Sequence, residues 1–267
     1  MMTVQKLMNL KGRRALLTGA TGGLGCVMAE TLAELGADLI LVDLPGTDFS
    51  SLKKSLENNW SIKVWSYHCD LEQNNQRQEL IDLVKDEHDI LNILINNAAF
   101  VGTSELLGWS TDFENQTVET WRRALDVNLT APFHLCQAFT PLLNKSDKSS
   151  IINIGSIYGQ YGPDWRLYDE TIMANPAAYG AAKGGLLQFT RWLSTTLAPS
   201  IRVNAISPGG IFRNQPDLFV KRYETRTPLQ RMAKEDDFKG ITAYLASDMS
   251  SYVTGQVFSV DGGWGVW

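Results

Sequence analysis

Tyr179 and Lys183 stand four residues apart in the alanine-rich run Tyr179-Gly180-Ala181-Ala182-Lys183. On a helix this spacing sets both side chains on one face, with Cβ atoms about 6 Å apart. A phenol titrates near 10 and is a poor base at neutral pH. A neighbouring ammonium favours the phenolate and lowers that pKa. Such a phenol can take a proton from an alcohol as hydride leaves, or return one to a ketone. Ser156, at the end of a strand-like run upstream, can share the same substrate oxygen. Tyr-x-x-x-Lys is frequent by chance, so its meaning comes from what precedes it.

What precedes it is the turn Thr18-Gly19-Ala20-Thr21-Gly22-Gly23-Leu24-Gly25, between a first strand and a first helix. Glycines there allow a tight turn and close backbone approach to a pyrophosphate, whose charge sits at the positive helix end. The spacing is G-x-x-x-G-x-G. A dinucleotide is the ligand this implies, and the positive ring of an oxidised nicotinamide would add to the pull on the Tyr179 proton. Asp43 ends the second strand, where a carboxylate accepts from the adenosine ribose and repels a 2′-phosphate. Leu44, Pro45 and Gly46 follow it with no positive charge. These residues predict NAD over NADP, with a plain solvated strand cap as the alternative for Asp43. Asp70 ends the third strand, either against an adenine edge or as a helix cap. Asn96-Asn97-Ala98-Ala99 ends the fourth, placing small side chains under the cofactor.

Strand-like runs are predicted at 15–18, 38–43, 63–69, 91–95, 150–155, 202–206 and 256–260. Several are nearly all apolar, as in a parallel sheet buried on both faces. Helical periodicity marks 23–35, 76–88, 118–143, 177–197 and 235–247. The alternation predicts an α/β fold: one Rossmann-type domain over 1–267, a doubly wound parallel sheet with helices on both faces. A substrate loop is expected near 157–178 and a lid near 210–234.

Composition narrows the function classes. The net charge of −5 gives no footprint for nucleic acid or an anionic membrane. No apolar run approaches the roughly 20 residues of a membrane span, and residues 1–14 lack a signal-type segment, so the expected location is cytoplasmic. Cys26, Cys69 and Cys136 are scattered and odd in number, and His68, His88 and His134 lack ligand spacing, so neither a disulfide framework nor a metal site is expected. Each cysteine reads as a small buried hydrophobe.

The chain resembles the short-chain dehydrogenase/reductase family over nearly its whole length. The resemblance rests on the 18–25 turn, Asp70, Asn96 to Ala99, Asn128, Ser156, Tyr179, Lys183, Pro208-Gly209-Gly210 and Val260-Asp261-Gly262-Gly263. It implies that Tyr179 is the general acid/base, that Lys183 lowers its pKa and holds the nicotinamide ribose, and that Ser156 positions the substrate oxygen. It implies that Asn128 supports a water-linked proton relay with Lys183. The cofactor contacts it implies are Gly19, Thr21, Gly23, Leu24, Gly25, Asp43, Asp70, Leu71, Asn97, Ala98, Ala99, Tyr179, Lys183, Pro208, Gly209, Ile211 and Arg213. It also implies a homo-oligomer, dimer or tetramer, joined partly through the helices carrying Asn128 and Tyr179.

Two departures stand out. The segment between Ser156 and Tyr179 is longer than usual in the family. Arg213 replaces the customary phosphate-binding threonine, which weakens one cofactor contact by analogy and places a guanidinium near the pocket. The long loop and the 207–215 segment resemble, more narrowly, proteins of bacterial flagellin-modification and nonulosonic acid loci. That suggests a sugar or nucleotide sugar, with Arg166 and Arg213 as a charged clamp and Trp109, Tyr158, Trp165 and Tyr168 as stacking faces. The aromatic tail, Gly263 to Trp267, suggests docking in an oligomer. The expected activity is NAD-dependent alcohol–ketone interconversion on a small molecule. The alternatives are a sugar epimerase or dehydratase that retains NAD, and a dinucleotide-sensing regulator without turnover; the intact Ser156, Tyr179 and Lys183 favour an enzyme.

Overall fold

Successive residues of the first two strands point to opposite cores, and both cores are apolar. Ala15 and Leu17 pack with Leu39 and Leu41 on one side, while Leu16 packs with Ile40 and Val42 on the other. The computed structural model describes residues 1–101 and 106–267. Its strands are β1 (Arg14–Thr18), β2 (Asp38–Asp43), β3 (Val64–His68), β4 (Ile93–Asn96), β5 (Ser149–Ile154), β6 (Ile201–Pro208) and β7 (Val257–Val260). The described residues form one seven-stranded sheet, β3-β2-β1-β4-β5-β6-β7, and every pairing is parallel. Its direction of crossover reverses between β1 and β4, which opens a crevice beyond their carboxyl ends.

Helices α1 (Val4–Met8), α2 (Gly23–Glu34), α3 (Ser50–Trp60), α4 (Asn74–Glu87), α5 (Val118–Leu125), α6 (Ala131–Leu143), α7 (Ala177–Leu197), α8 (Asp217–Arg226) and α9 (Lys239–Ala246) connect and cover the strands. Met28 and Leu32 of α2, with Leu245 of α9, close one face. Leu80 and Val84 of α4, Leu135 and Phe139 of α6 and Leu193 of α7 close the other. This is the doubly wound, Rossmann-like architecture that the alternating pattern requires.

Three helices escape the periodicity reading. The first, α1, has no buried residue, α3 buries only Leu56, and α8 buries Phe219 and Tyr223, so none carries a full apolar stripe. The single helix expected over 118–143 is interrupted: α5 passes through a π-helical turn, Asp126–Thr130, before α6 begins. The stretch from 235 starts as a 3-10 turn, Glu235–Phe238, before α9. Among the described residues no helix is long and apolar enough to cross a membrane.

Candidate active site

The crevice at the β1/β4 switch holds a cavity of about 740 Å3. Its floor is the glycine turn. Gly19 adopts φ +63°, and a Cβ there would come within 2.9 Å of the Ala98 Cα. A Cβ on Gly25 would collide with the Gly19 carbonyl oxygen. Only glycine therefore lets β1 turn into α2 this tightly against β4. The α2 N-cap, Gly22, makes no side-chain cap bond, so the first N–H groups of the helix lack an intrahelical or capping partner. Those groups and the helix dipole form an anion cradle. The Asn97 amide fixes the turn from beneath, donating to the carbonyls of Thr18 (2.9 Å) and Gly19 (3.0 Å). Asp43 faces the same cavity; its Oδ2 accepts from the Thr21 N–H (2.8 Å) and hydroxyl (2.7 Å) and its Oδ1 from the Leu44 N–H (2.9 Å). An uncapped helix end, a strand-end carboxylate and a volume within the usual ligand-site range fit a dinucleotide.

Of the residues expected to line that cavity, the structure brings Gly19, Gly23, Leu24, Gly25, Asp43, Asp70, Leu71, Asn97, Ala98, Ala99, Ser156, Tyr179, Lys183, Pro208, Gly209, Ile211 and Arg213 to its wall. Thr21 is not on the wall; it stands behind it, holding Asp43. Gly22 of the same turn also lines the cavity, as do Glu72 and Arg123, which sequence reading missed. Arg123 Nε donates to both Glu72 oxygens, at 2.8 and 3.1 Å, and its guanidinium lies 4.9 Å from the Phe100 ring centre. These partners are 51 residues apart, so no local signal pairs them.

A second cavity, about 460 Å3, adjoins the first. Val101, Ser156, Tyr179, Pro208 and Gly209 line both. Tyr179 and Lys183 sit in the first two turns of α7, whose opening Ala177 N–H is capped by Gln116 Oε1 at 3.0 Å. Lys183 is buried, 5.9 Å from the Tyr179 ring centre, and donates to the Ile154 carbonyl at 2.7 Å. Burial lowers the Lys183 pKa to about 8. Burial raises the Tyr179 pKa above its ordinary value, opposed by the Ser156 hydroxyl and the charge of Arg213. The expectation of a lowered phenol pKa is therefore corrected for the protein alone: desolvation dominates. Ser156 Oγ accepts from the Tyr158 N–H at 3.2 Å, which leaves its own proton free to donate.

Asn128 lies in the π turn, fully buried. Its amide is occupied: Oδ1 accepts from the Phe100 N–H at 2.8 Å and Nδ2 donates to the Phe100 carbonyl at 3.1 Å. Its side chain thus braces the strand-end segment after β4 and makes no bond to Lys183. A π turn releases main-chain groups from the helical ladder and recurs at functional sites.

The smaller cavity is walled by Trp109, Tyr158, Tyr168, Met173, Phe219, Tyr223 and Met232, with Ser110, Asn175 and Gln215 as polar members. Tyr158 and Tyr168 share a 2.6 Å hydroxyl–hydroxyl bond, and Asn175 Nδ2 donates to Tyr168 at 3.3 Å. None of the described lining residues is charged. Arg166 is corrected as a clamp: it points to solvent, bound to its neighbour Asp164 at 2.6 Å. Trp165 is likewise outside this cavity and borders an outer groove. The aromatic tail meets the expectation of exposure only at its end, where Trp267 is 70% exposed. Trp264 is buried against Tyr158, Tyr161 and Tyr223 of its own chain, and Arg226 lies over both Trp264 and Trp267.

The profile of a family described as "Enoyl-(Acyl carrier protein) reductase" matches residues 19–265. The chain is 32% identical to the 3-oxoacyl-(acyl-carrier-protein) reductase FabG of Thermotoga maritima, covering 96% of this chain and 99% of that one. It is 27% identical to the Post-translational flagellin modification protein A of Campylobacter coli, covering 96% and 100%. Among solved structures, a short-chain dehydrogenase from Leptospira borgpetersenii with bound NAD+ superposes with a TM-score of 0.81 at 33% identity, covering 96% of this chain and 94% of that one. With this profile and these relatives spanning the sheet, the glycine turn and the Ser156–Tyr179–Lys183 site alike, the chain belongs to the short-chain dehydrogenase/reductase family of NAD(P)-dependent oxidoreductases.

Proposed function

We propose that the protein interconverts a secondary alcohol and a ketone with NAD(H). One observation carries this reading: Ser156 and Tyr179 stand on the wall common to the two cavities, so proton-transfer groups lie where cofactor and substrate meet. A dinucleotide in the larger cavity supplies the hydride acceptor or donor. The rest falls to this chain. Ser156, its proton free, donates to the substrate oxygen and orients it. Tyr179 gives that oxygen a proton in reduction and takes one in oxidation. Lys183, held by the Ile154 carbonyl, keeps two further N–H donors for the nicotinamide ribose and its charge for the phenol. Asn128 holds the Phe100 segment, and the opened backbone of its π turn serves the water-linked relay. Residues 157–178 form the substrate loop and 210–234 the lid.

The uncharged lining of the smaller cavity supports a neutral ring, a free sugar included, and offers no cation for a nucleotide diphosphate. NADH oxidation over neutral cyclic ketones and keto sugars tests this, with nucleotide sugars alongside. Turnover confined to nucleotide sugars would overturn it.

The NAD preference rests on Asp43, whose carboxylate borders the cavity beside exposed Leu44. A 2′-phosphate there meets a like charge. Wild type is expected to bind NADH more tightly than NADPH, and Asp43→Asn to narrow the gap by about tenfold. Equal ratios in the two proteins, measured by fluorescence titration, would remove Asp43 from this role.

For the assembly we propose a homo-oligomer, located on composition in the cytoplasm. Phe133 of α6 is 45% exposed and Trp192 of α7 is 58% exposed, and Phe189 bridges them with ring contacts at 5.8 and 6.5 Å. Such a patch suits a subunit contact. Phe133→Glu combined with Trp192→Glu is expected to yield monomers in sedimentation velocity; an unchanged assembly places the contact elsewhere.

A further inference from the structure

The segment that carries Arg213 is zipped to the segment that carries Glu235. The Phe212 N–H donates to the Ala233 carbonyl and the Ala233 N–H to the Gly210 carbonyl, each at 2.9 Å. Gln215 clamps Arg213 further, accepting from its N–H at 2.7 Å and donating to the Ile211 carbonyl at 2.8 Å. In the following turn Asp237 is fully engaged, accepting from Arg231 at 2.6 and 2.8 Å and from the Lys234 N–H at 2.8 Å. Asp236 faces Lys239, 3.5 Å away. Glu235 is the carboxylate left to face Arg213, from a groove lined by Gly23 and Phe212 that adjoins the dinucleotide cavity. Its Oε1 lies 3.5 Å from Arg213 Nε, and a Cβ built on Gly23 would meet the same oxygen at 2.8 Å. The Glu235 carboxylate is thus the nearest group to Gly23 from outside its own helix.

Gly23 opens α2, the helix whose uncapped N-terminus forms the anion cradle. Glu235 therefore already rests in the positive field that a pyrophosphate would use, and its charge offsets the Arg213 guanidinium on the cavity wall. A loose, half-exposed ion pair of this kind adds little to folding, so its main effect falls on what binds beside it. We propose that Glu235 is a built-in counter-anion of the dinucleotide cavity, sharing Arg213 and the α2 terminus with the pyrophosphate and so lowering cofactor affinity. The inference rests on the dinucleotide reading but not on NAD over NADP, because both cofactors carry the pyrophosphate.

The test is fluorescence titration of the whole protein with NADH and with NADPH. Glu235→Gln should lower both dissociation constants by about two- to fivefold, the scale of a charge at a helix terminus. Glu235→Ala should act in the same direction, and raising the salt should shrink the gain. Arg213→Gln should weaken both ligands. Unchanged or weaker binding in both Glu235 variants overturns the proposal and makes Glu235 a brace for Arg213. Wild-type protein that binds neither nucleotide overturns it together with the dinucleotide reading. Tighter NADPH than NADH rejects only the Asp43 argument, since the Glu235 ratio is read on each cofactor separately.

Discussion

Tyr179→Phe is expected to lower kcat for ketone reduction by about 100- to 10,000-fold, the usual worth of a positioned general acid. The phenol stands on the wall shared by the two cavities, with the free proton of Ser156 beside it. Phenylalanine keeps the ring and its packing against the cluster of Trp109, Ala124 and Ala178 and removes only the proton donor. An interaction made only in the transition state lowers kcat and kcat/KM together, so KM should hardly move. Binding of NADH should change by no more than about tenfold, the worth of one hydrogen bond. A variant with normal kcat and a raised KM would recast Tyr179 as a binding residue, and Ser156 would become the candidate acid.

Lys183→Met should cost about 100-fold or more in the same assay, and its pH dependence separates a catalytic charge from a packing role. Methionine has similar length and leaves no buried charge behind, so the fold should persist. Reduction needs the phenol protonated and the ammonium charged. Burial raises the Tyr179 pKa, so the phenol keeps its proton through neutral pH. Burial lowers the Lys183 pKa to about 8, so its charge is present below that pH and lost above it. Wild-type reduction is thus expected to stay level up to about pH 8 and then to fall. In Lys183→Met the rate should be low throughout and the fall near that pH should vanish. Alcohol oxidation, which needs the phenolate, should climb with pH in both proteins, from a lower level in the variant. An unaltered fall in the variant would show that another group controls it.

How far the site can be read from the chain depends on whether its parts are local. The 18–25 turn, the strand-end Asp43 and the Tyr179–Lys183 pair each lie within one connection or one helical turn, where spacing alone fixes geometry. The sheet was legible because both faces of β1, β2 and β4 are apolar, a pattern only a doubly covered sheet satisfies. What stayed hidden depends on distant partners. Residue types do not announce that 126–130 widens into a π turn, nor that Asn128 spends its amide on Phe100. Arg166 beside an aromatic loop suggests a clamp until Asp164, two residues before it, takes the guanidinium. Trp264 suggests a contact with another subunit until Arg226 and Tyr223 are seen against it. Glu235 carries no signal at all, since its meaning comes from Gly23, more than two hundred residues earlier.

The central claim is that hydride and proton meet at one substrate carbon and its oxygen, on the wall lined by Ser156 and Tyr179. Label transfer tests it most directly: NADH deuterated at both C4 positions is mixed with neutral cyclic ketones and keto sugars, and products are read by NMR. The account predicts deuterium on the new carbinol carbon with wild type, one NADH consumed per product, and loss of both with Tyr179→Phe. An isomerised sugar with no deuterium and no net NADH consumed would contradict it and point to an internal redox cycle.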